Sequence, residues 1–257
     1  MTALLAAEIR RMTSRRLFRV VAALAVLAIV IASLIVAIRS RSTIGIAGDQ
    51  RFHLTSLAVT LEGISPVLII AAWLLGASFI GADWHAGTVT TLLTWEPRRL
   101  RVMMTKLAGC LTVVFLLVVA VQMLLGGGLA LAAAARGTTE GVDVAWMRHT
   151  AGIALRVAVL TGVGSAIGFA IASVARNTAA ALGVGFGYTV IVENLVRGLR
   201  PQWVPWLVGD NAVVFITGQS AGPAFDRTIL QAGLLLVAYA AALLLVAMAV
   251  FRTRDVT

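Results

Sequence analysis

The sequence predicts an all-α membrane protein that crosses the bilayer about six times. Apolar residues make up 60% of the chain and charged residues only 12%, whereas a soluble domain carries about 25% charged residues. Six apolar runs, near 20–38, 59–81, 107–133, 150–174, 178–195 and 229–251, are each long enough to cross a hydrocarbon core about 30 Å thick. Alternating apolar and polar patterning is absent. An open strand in lipid would leave backbone groups unpaired, so the runs are expected to be helices. Six spans of about 20 residues take up roughly half the length, which makes residues 1–257 a single transmembrane domain.

Residues 1–19 carry Arg10, Arg11, Arg15, Arg16 and Arg19. Leu5, Ile9 and Met12 recur at helical spacing while Arg11 and Arg15 take another face, which predicts an amphipathic helix lying along the membrane surface. The first apolar run, about 19 residues, exceeds the 7–15 of a secretory signal core, so it is expected to remain as the first span. With the N-terminus inside, inner segments hold twelve Lys and Arg residues and outer segments eight. That bias favours a cell-membrane protein with both termini cytoplasmic. The longest inner loop is then 82–106. The last outer loop, 196–228, contains Pro201, Trp203, Pro205 and Trp206. Proline breaks a continuing helix and Trp favours the interface, so short re-entrant helices dipping into the outer leaflet are expected there.

Several activities are excluded on chemical grounds. The formal charge of +10 resides in short arginine strips between apolar runs, where topology and anionic headgroups account for it better than nucleic acid does. A nucleotide-binding P-loop needs a Gly-Lys-Ser/Thr step, and the only lysine is Lys106, within Thr105-Lys106-Leu107. His53, His85 and His149 fall in three different loops and form no metal-hydrolase motif. Cys110 is the only cysteine, which rules out an intrachain disulfide and a thiolate zinc site. No nucleophile, base and orienting group occur together. The chain is therefore expected to be neither an enzyme nor the holder of a cofactor or metal.

Gly164 and Gly168 in the fourth span, and Gly183 and Gly187 in the fifth, are expected to let neighbouring helices approach closely. Gly126-Gly127-Gly128 is expected to mark tight packing or a hinge in the third. Glu62, Arg156 and Glu193 lie within spans, toward their outer ends. A charge at the bilayer centre costs about 2.5–3.5 kcal/mol on insertion scales, so pairing of Arg156 with Glu62 or Glu193 is one expectation, forming a candidate outer gate. Snorkelling to the headgroups is the alternative.

The stretch 81–109 carries the most specific pattern. Drawn as a helix, Asp83, Gly87, Thr90 and Thr94 align in a narrow polar stripe. Asp83 is placed to cap its N-terminus, and Pro97 to stop it before the basic patch Arg98, Arg99 and Arg101. The acidic residue four before Gly87-Thr88, the Leu92-Leu93 pair, Pro97, the arginines and Lys106 resemble the type-2 permease subunits of ATP-binding cassette transporters. In that family the acidic residue is usually Glu, and Asp83 stands in its place. The resemblance implies that the region from Asp83 to Thr94, with Pro97, Arg98 and Arg99, is a coupling helix seated on a separate ATPase subunit. It also implies that residues 1–19 form an elbow helix, that a second permease subunit completes the pore, and that ATP binds only to the partner. An ion-coupled secondary transporter, driven through Glu62, Arg156 and Glu193, and a peptide-immunity or peptide-sensing assembly are the competing expectations.

Overall fold

The computed structural model describes residues 2–40, 51–88, 98–219 and 225–253. Among these, nine α-helices occur: α1 Thr2–Ser14, α2 Arg16–Arg39, α3 Leu57–His85, α4 Arg99–Arg136, α5 Val144–Ala175, α6 Thr178–Phe186, α7 Glu193–Leu199, α8 Val208–Thr217 and α9 Ile229–Thr253. A π-helical segment, Gly187–Val192, joins α6 to α7, and a 3₁₀ turn, Pro201–Trp206, joins α7 to α8. Six helical stretches are long and apolar enough to cross a membrane: α2, Leu54–His85, α4, α5, Thr178–Leu199 and α9. The chain is accordingly a multi-pass membrane protein in architecture.

The helices run further than the apolar runs predict. The first spanning helix begins at Arg16, not at residue 20, and α3 continues to His85, past residue 81. At 38 residues, α4 is about 57 Å long. Hydropathy marks only the part that suits hydrocarbon, whereas backbone hydrogen bonding continues into polar flanks until a cap or breaker intervenes. Asp143 supplies one such cap, accepting from the Trp146 N–H at 2.7 Å. Asn177 supplies another, accepting from the Ala179 N–H at 2.7 Å. Gly87, with φ of +65°, follows the end of α3, a left-handed conformation that L side chains adopt only with strain.

Successive spanning helices alternate in direction, leaving an α1 end and a far end. Loops knit the far end together: the Ser40 hydroxyl donates to the Arg136 carbonyl, and the Trp146 indole N–H donates to that of Thr55. In the centre α3 packs chiefly on α5. Gly76 lies against the Ser165 backbone, Gly168 against the Trp73 carbonyl and Gly164 against Ile69. Cys110 of α4 meets the same seam, its sulfur 3.4 Å from Ser165 Oγ. One apolar cluster fills the bundle toward the α1 end, around Phe79, Val114 and Phe169, and another fills it toward the far end, around Leu61, Ile153 and Leu236.

The glycine expectations divide. Gly164 and Gly168 sit at helix contacts, whereas a methyl group at Gly183 or Gly187 would meet nothing within 4 Å. In the fifth span the close approach is instead made by Gly185, against the Trp73 ring. Gly128 abuts Ser33 of α2 while α4 continues unbroken through the triplet, so that glycine serves packing.

Candidate functional site

A buried group of charges ties three helices together at the α1 end. Lys106, on the second turn of α4, is 1% exposed. Its ammonium donates to both carboxylate oxygens of Glu8 on α1, at 2.9 and 3.0 Å, and to Asp83 Oδ2 on α3 at 2.7 Å. These bonds use all three of its donors. Arg15 reaches Asp83 Oδ1 at 2.5 Å and donates to the Ser78 carbonyl at 2.9 Å. Arg11 approaches the same carboxylate oxygen at 3.2 Å. Three cations thus surround two carboxylates, with Phe79 lying against Arg15 and Lys106 and with Met12 buried beside them.

Burying ions costs several kcal/mol each, and the cost is recovered only where every donor and lone pair finds a partner. Here the Lys106 ammonium has three acceptors and each carboxylate oxygen of Glu8 and Asp83 has at least one donor, and this fixes where α1 sits. Arg11 and Arg15, expected on a face away from the apolar stripe, turn inward to Asp83. Glu8, Arg11 and Met12 follow helical spacing on one side of α1, which thus carries both ionic and apolar contacts, and Arg15 joins them from the break between α1 and α2. A methyl group at Gly109 of α4 would come within 3.2 Å of Glu8 Cβ, tighter than ordinary contact, so the bare glycine lets α1 lie close.

Asp83 does not begin a new helix as the sequence predicts. It lies in the last turn of α3, 1% exposed, because three cations compensate its charge far better than a cap would. The Gly87 N–H returns to the Trp84 carbonyl at 3.2 Å, and the Thr88 hydroxyl donates to the Asp83 carbonyl at 3.1 Å. Gly87 therefore belongs to the turn that closes α3, and Thr88 is already helical again. Thr90, Thr94 and Pro97 lie outside the described residues. Arg98 is exposed and precedes α4, and Arg99 opens that helix. The ion cluster consequently clamps both ends of the segment joining α3 to α4.

The candidate outer-gate residues are not brought together. Among the described residues, no ion pair joins Arg156 to Glu62 or Glu193. Glu193 is instead buried at the far end, accepting from Arg197 at 3.0 Å and from the Gly209 N–H at 2.8 Å, while Arg197 also binds Asp210 at 2.9 Å. Arg197 and the Gly209 N–H satisfy Glu193 locally because the turn at Pro201–Trp206 brings the start of α8 back to α7. Arg156 donates its Nε–H to the Gly152 carbonyl of its own helix. Glu193→Gln removes a charge-assisted bond of about 1.5–3 kcal/mol. The expected result is faster hydrogen exchange at the Gly209 amide, with the α1 end unaffected.

Glu8, Arg11 and Arg15 are site residues that no motif in the sequence marks. The usable signal is sparse: Glu8 is the sole acid before the first span and Lys106 the sole lysine, each within a stretch otherwise apolar or basic. Compared with known proteins, the chain matches no family model and no curated protein.

Proposed function

We propose that this chain is the membrane-spanning permease subunit of an ATP-binding cassette exporter, driven by a separate ATPase subunit seated on the α1 end. The observation that carries the reading is the clamp of Glu8, Asp83, Lys106, Arg11 and Arg15 around the ends of the α3–α4 connection. Force applied to that connection cannot be absorbed by local bending, because its two anchors share a buried ion cluster. Displacement passes into α3 and α4 together, and α1 moves with them as one body. The motif from Asp83 to Lys106 supports the same assignment, with the segment 82–106 as the coupling region and α1 as the elbow helix.

In this reading the α1 end is cytoplasmic, as are both termini. The short helices α7 and α8, with the turn between them, line the outer mouth as re-entrant elements. A second permease subunit, identical or different, completes the translocation path. The exposed sides of α2 and of the Thr178–Leu199 span, where Gly183 and Gly187 open outward, are available to it or to lipid. The chain itself is not an enzyme and binds no cofactor, metal or nucleic acid; ATP is held by the partner.

Arg98→Glu reverses an exposed charge at the start of α4 without touching the ion cluster. Recovery of an ATPase with the affinity-tagged chain from native membranes is expected to fall about tenfold, the effect of one lost charge contact. Equal recovery of the ATPase with both forms, or its absence from both, would remove the assignment. Glu62 and Arg156, charged and, among the described residues, unpaired within spans, favour an ion-coupled transporter as the second reading. Cargo movement by the purified chain alone, on an ion gradient without ATP, would establish that alternative.

A further inference from the structure

Arg156 has an unusual position for a charge in a spanning helix. Among the described residues, only its Nε–H is engaged, on the Gly152 carbonyl at 3.2 Å, and no carboxylate pairs with it. The side chain is partly exposed, and one terminal nitrogen lies near Gly218, where the end of α8 meets Ile229 at the start of α9. A guanidinium carries five donors and binds oxyanions through two at once. Here the terminal pair finds no acceptor among the described residues.

One turn further along the same face of α5, Val159 and then Val163 line a groove of about 560 Å³ between α4, α5 and α9. Its wall is apolar: Phe115 and Leu116 contribute from α4, and Val237 and Leu244 from α9. The single hydroxyl in the lining, that of Thr112, is already bonded to the Ala108 carbonyl. The groove extends from Ala158 to Ala166 along α5, about 12 Å of helix. Helical side chains lean toward the N-terminal end, so the Arg156 head lies beyond the mouth of the groove toward the far end of the bundle. A cation thus stands over an elongated apolar slot.

We infer that this groove binds an acidic phospholipid of the surrounding bilayer, with an acyl chain between α4, α5 and α9 and the phosphate on Arg156. Apolar contact alone gives no preference for one lipid over another, because hydrocarbon leaves one apolar setting for another. Selectivity must therefore come from the headgroup, and Arg156 is the unpaired cation at the groove. The site is independent of any ATPase and lies apart from the ion cluster at the α1 end. It would retain a lipid whether the chain exports or exchanges ions.

The test is lipid binding to the purified full-length chain in detergent, measured by native mass spectrometry with phosphatidylglycerol and phosphatidylcholine of identical chains. The wild type is expected to retain the first phosphatidylglycerol about tenfold more tightly, the effect of one charge-assisted contact. Arg156→Gln abolishes that preference, and Arg156→Lys keeps most of it. Gly162 lines the groove and a Cβ there would meet nothing within 4 Å, so Gly162→Leu projects into the slot and weakens phosphatidylglycerol binding. Gly63→Leu, equally unobstructed but on α3, leaves it unchanged. Equal binding of both lipids by the wild type, or an undiminished preference in Arg156→Gln, would overturn the proposal. So would wild-type binding by Gly162→Leu, or a Gly162→Leu form that loses self-association while keeping its lipid selectivity, which would assign the groove to a second copy.

Discussion

Lys106→Met is expected to destabilise the protein by about 3–5 kcal/mol, because it leaves buried carboxylates without their shared cation. Methionine fills most of the volume, so the loss reports charge and not a cavity. Glu8 suffers most, since both its oxygens bind Lys106, whereas Asp83 keeps Arg15 and Arg11. Release of α1 should follow, opening Arg11 and Arg15, half-buried in the intact cluster, to trypsin while the spanning helices stay protected. Pairing the change with Glu8→Gln removes the stranded charge and should restore more than half of the loss. A double-mutant cycle on thermal unfolding in detergent measures this directly. Lys106→Met with wild-type stability and unaltered trypsin resistance would show that the cluster does not hold α1.

Gly76→Leu carries the second large effect. A methyl group at Gly76 already collides with the Ser165 carbonyl oxygen and its backbone carbon, atoms that no rotamer change can move. Separating α3 from α5 is the only relief, and it would also disturb the Gly168 contact with Trp73 and the Cys110 contact with Ser165. Overpacking of this kind costs about 1–3 kcal/mol for a methyl group and more for leucine. Gly183→Ala provides the contrast. Its added methyl meets nothing, and exchanging helical Gly for Ala gains up to about 1 kcal/mol. Thermal midpoints should move in opposite directions, with a large fall for Gly76→Leu and a small rise for Gly183→Ala. A fall for Gly183→Ala in the isolated chain would mean that its outward face is covered by another copy.

The spanning helices were legible because apolar length is a local property: each run can be judged without knowing its neighbours. The ends were less so. Polar flanks such as Arg99 to Lys106 extend α4 well before the hydrocarbon-like stretch begins, and Asp83 extends α3 beyond it. Glycine spacing was informative for Gly164 and Gly168 but not for Gly183 and Gly187, since a small residue records that contact is permitted and not that a neighbour is present. The candidate site was legible only in part. Asp83 stood out through its motif, yet its burial in an ion cluster could not be read from the residues beside it.

By itself the sequence determined a six-span helical membrane protein with basic flanks and no P-loop, because hydropathy, charge and motif content require no knowledge of folding partners. Tertiary structure alone decided which charges meet. Glu8 and Lys106 are 98 positions apart, and Asp83 and Lys106 are 23 apart, so only the packing of α1, α3 and α4 brings them within hydrogen-bond distance. The same packing leaves Arg156 without a carboxylate among the described residues. Glu193 turns instead to Arg197 and the Gly209 N–H, and rotation about a helix axis, which decides such partners, is set by interlocking side chains across the bundle.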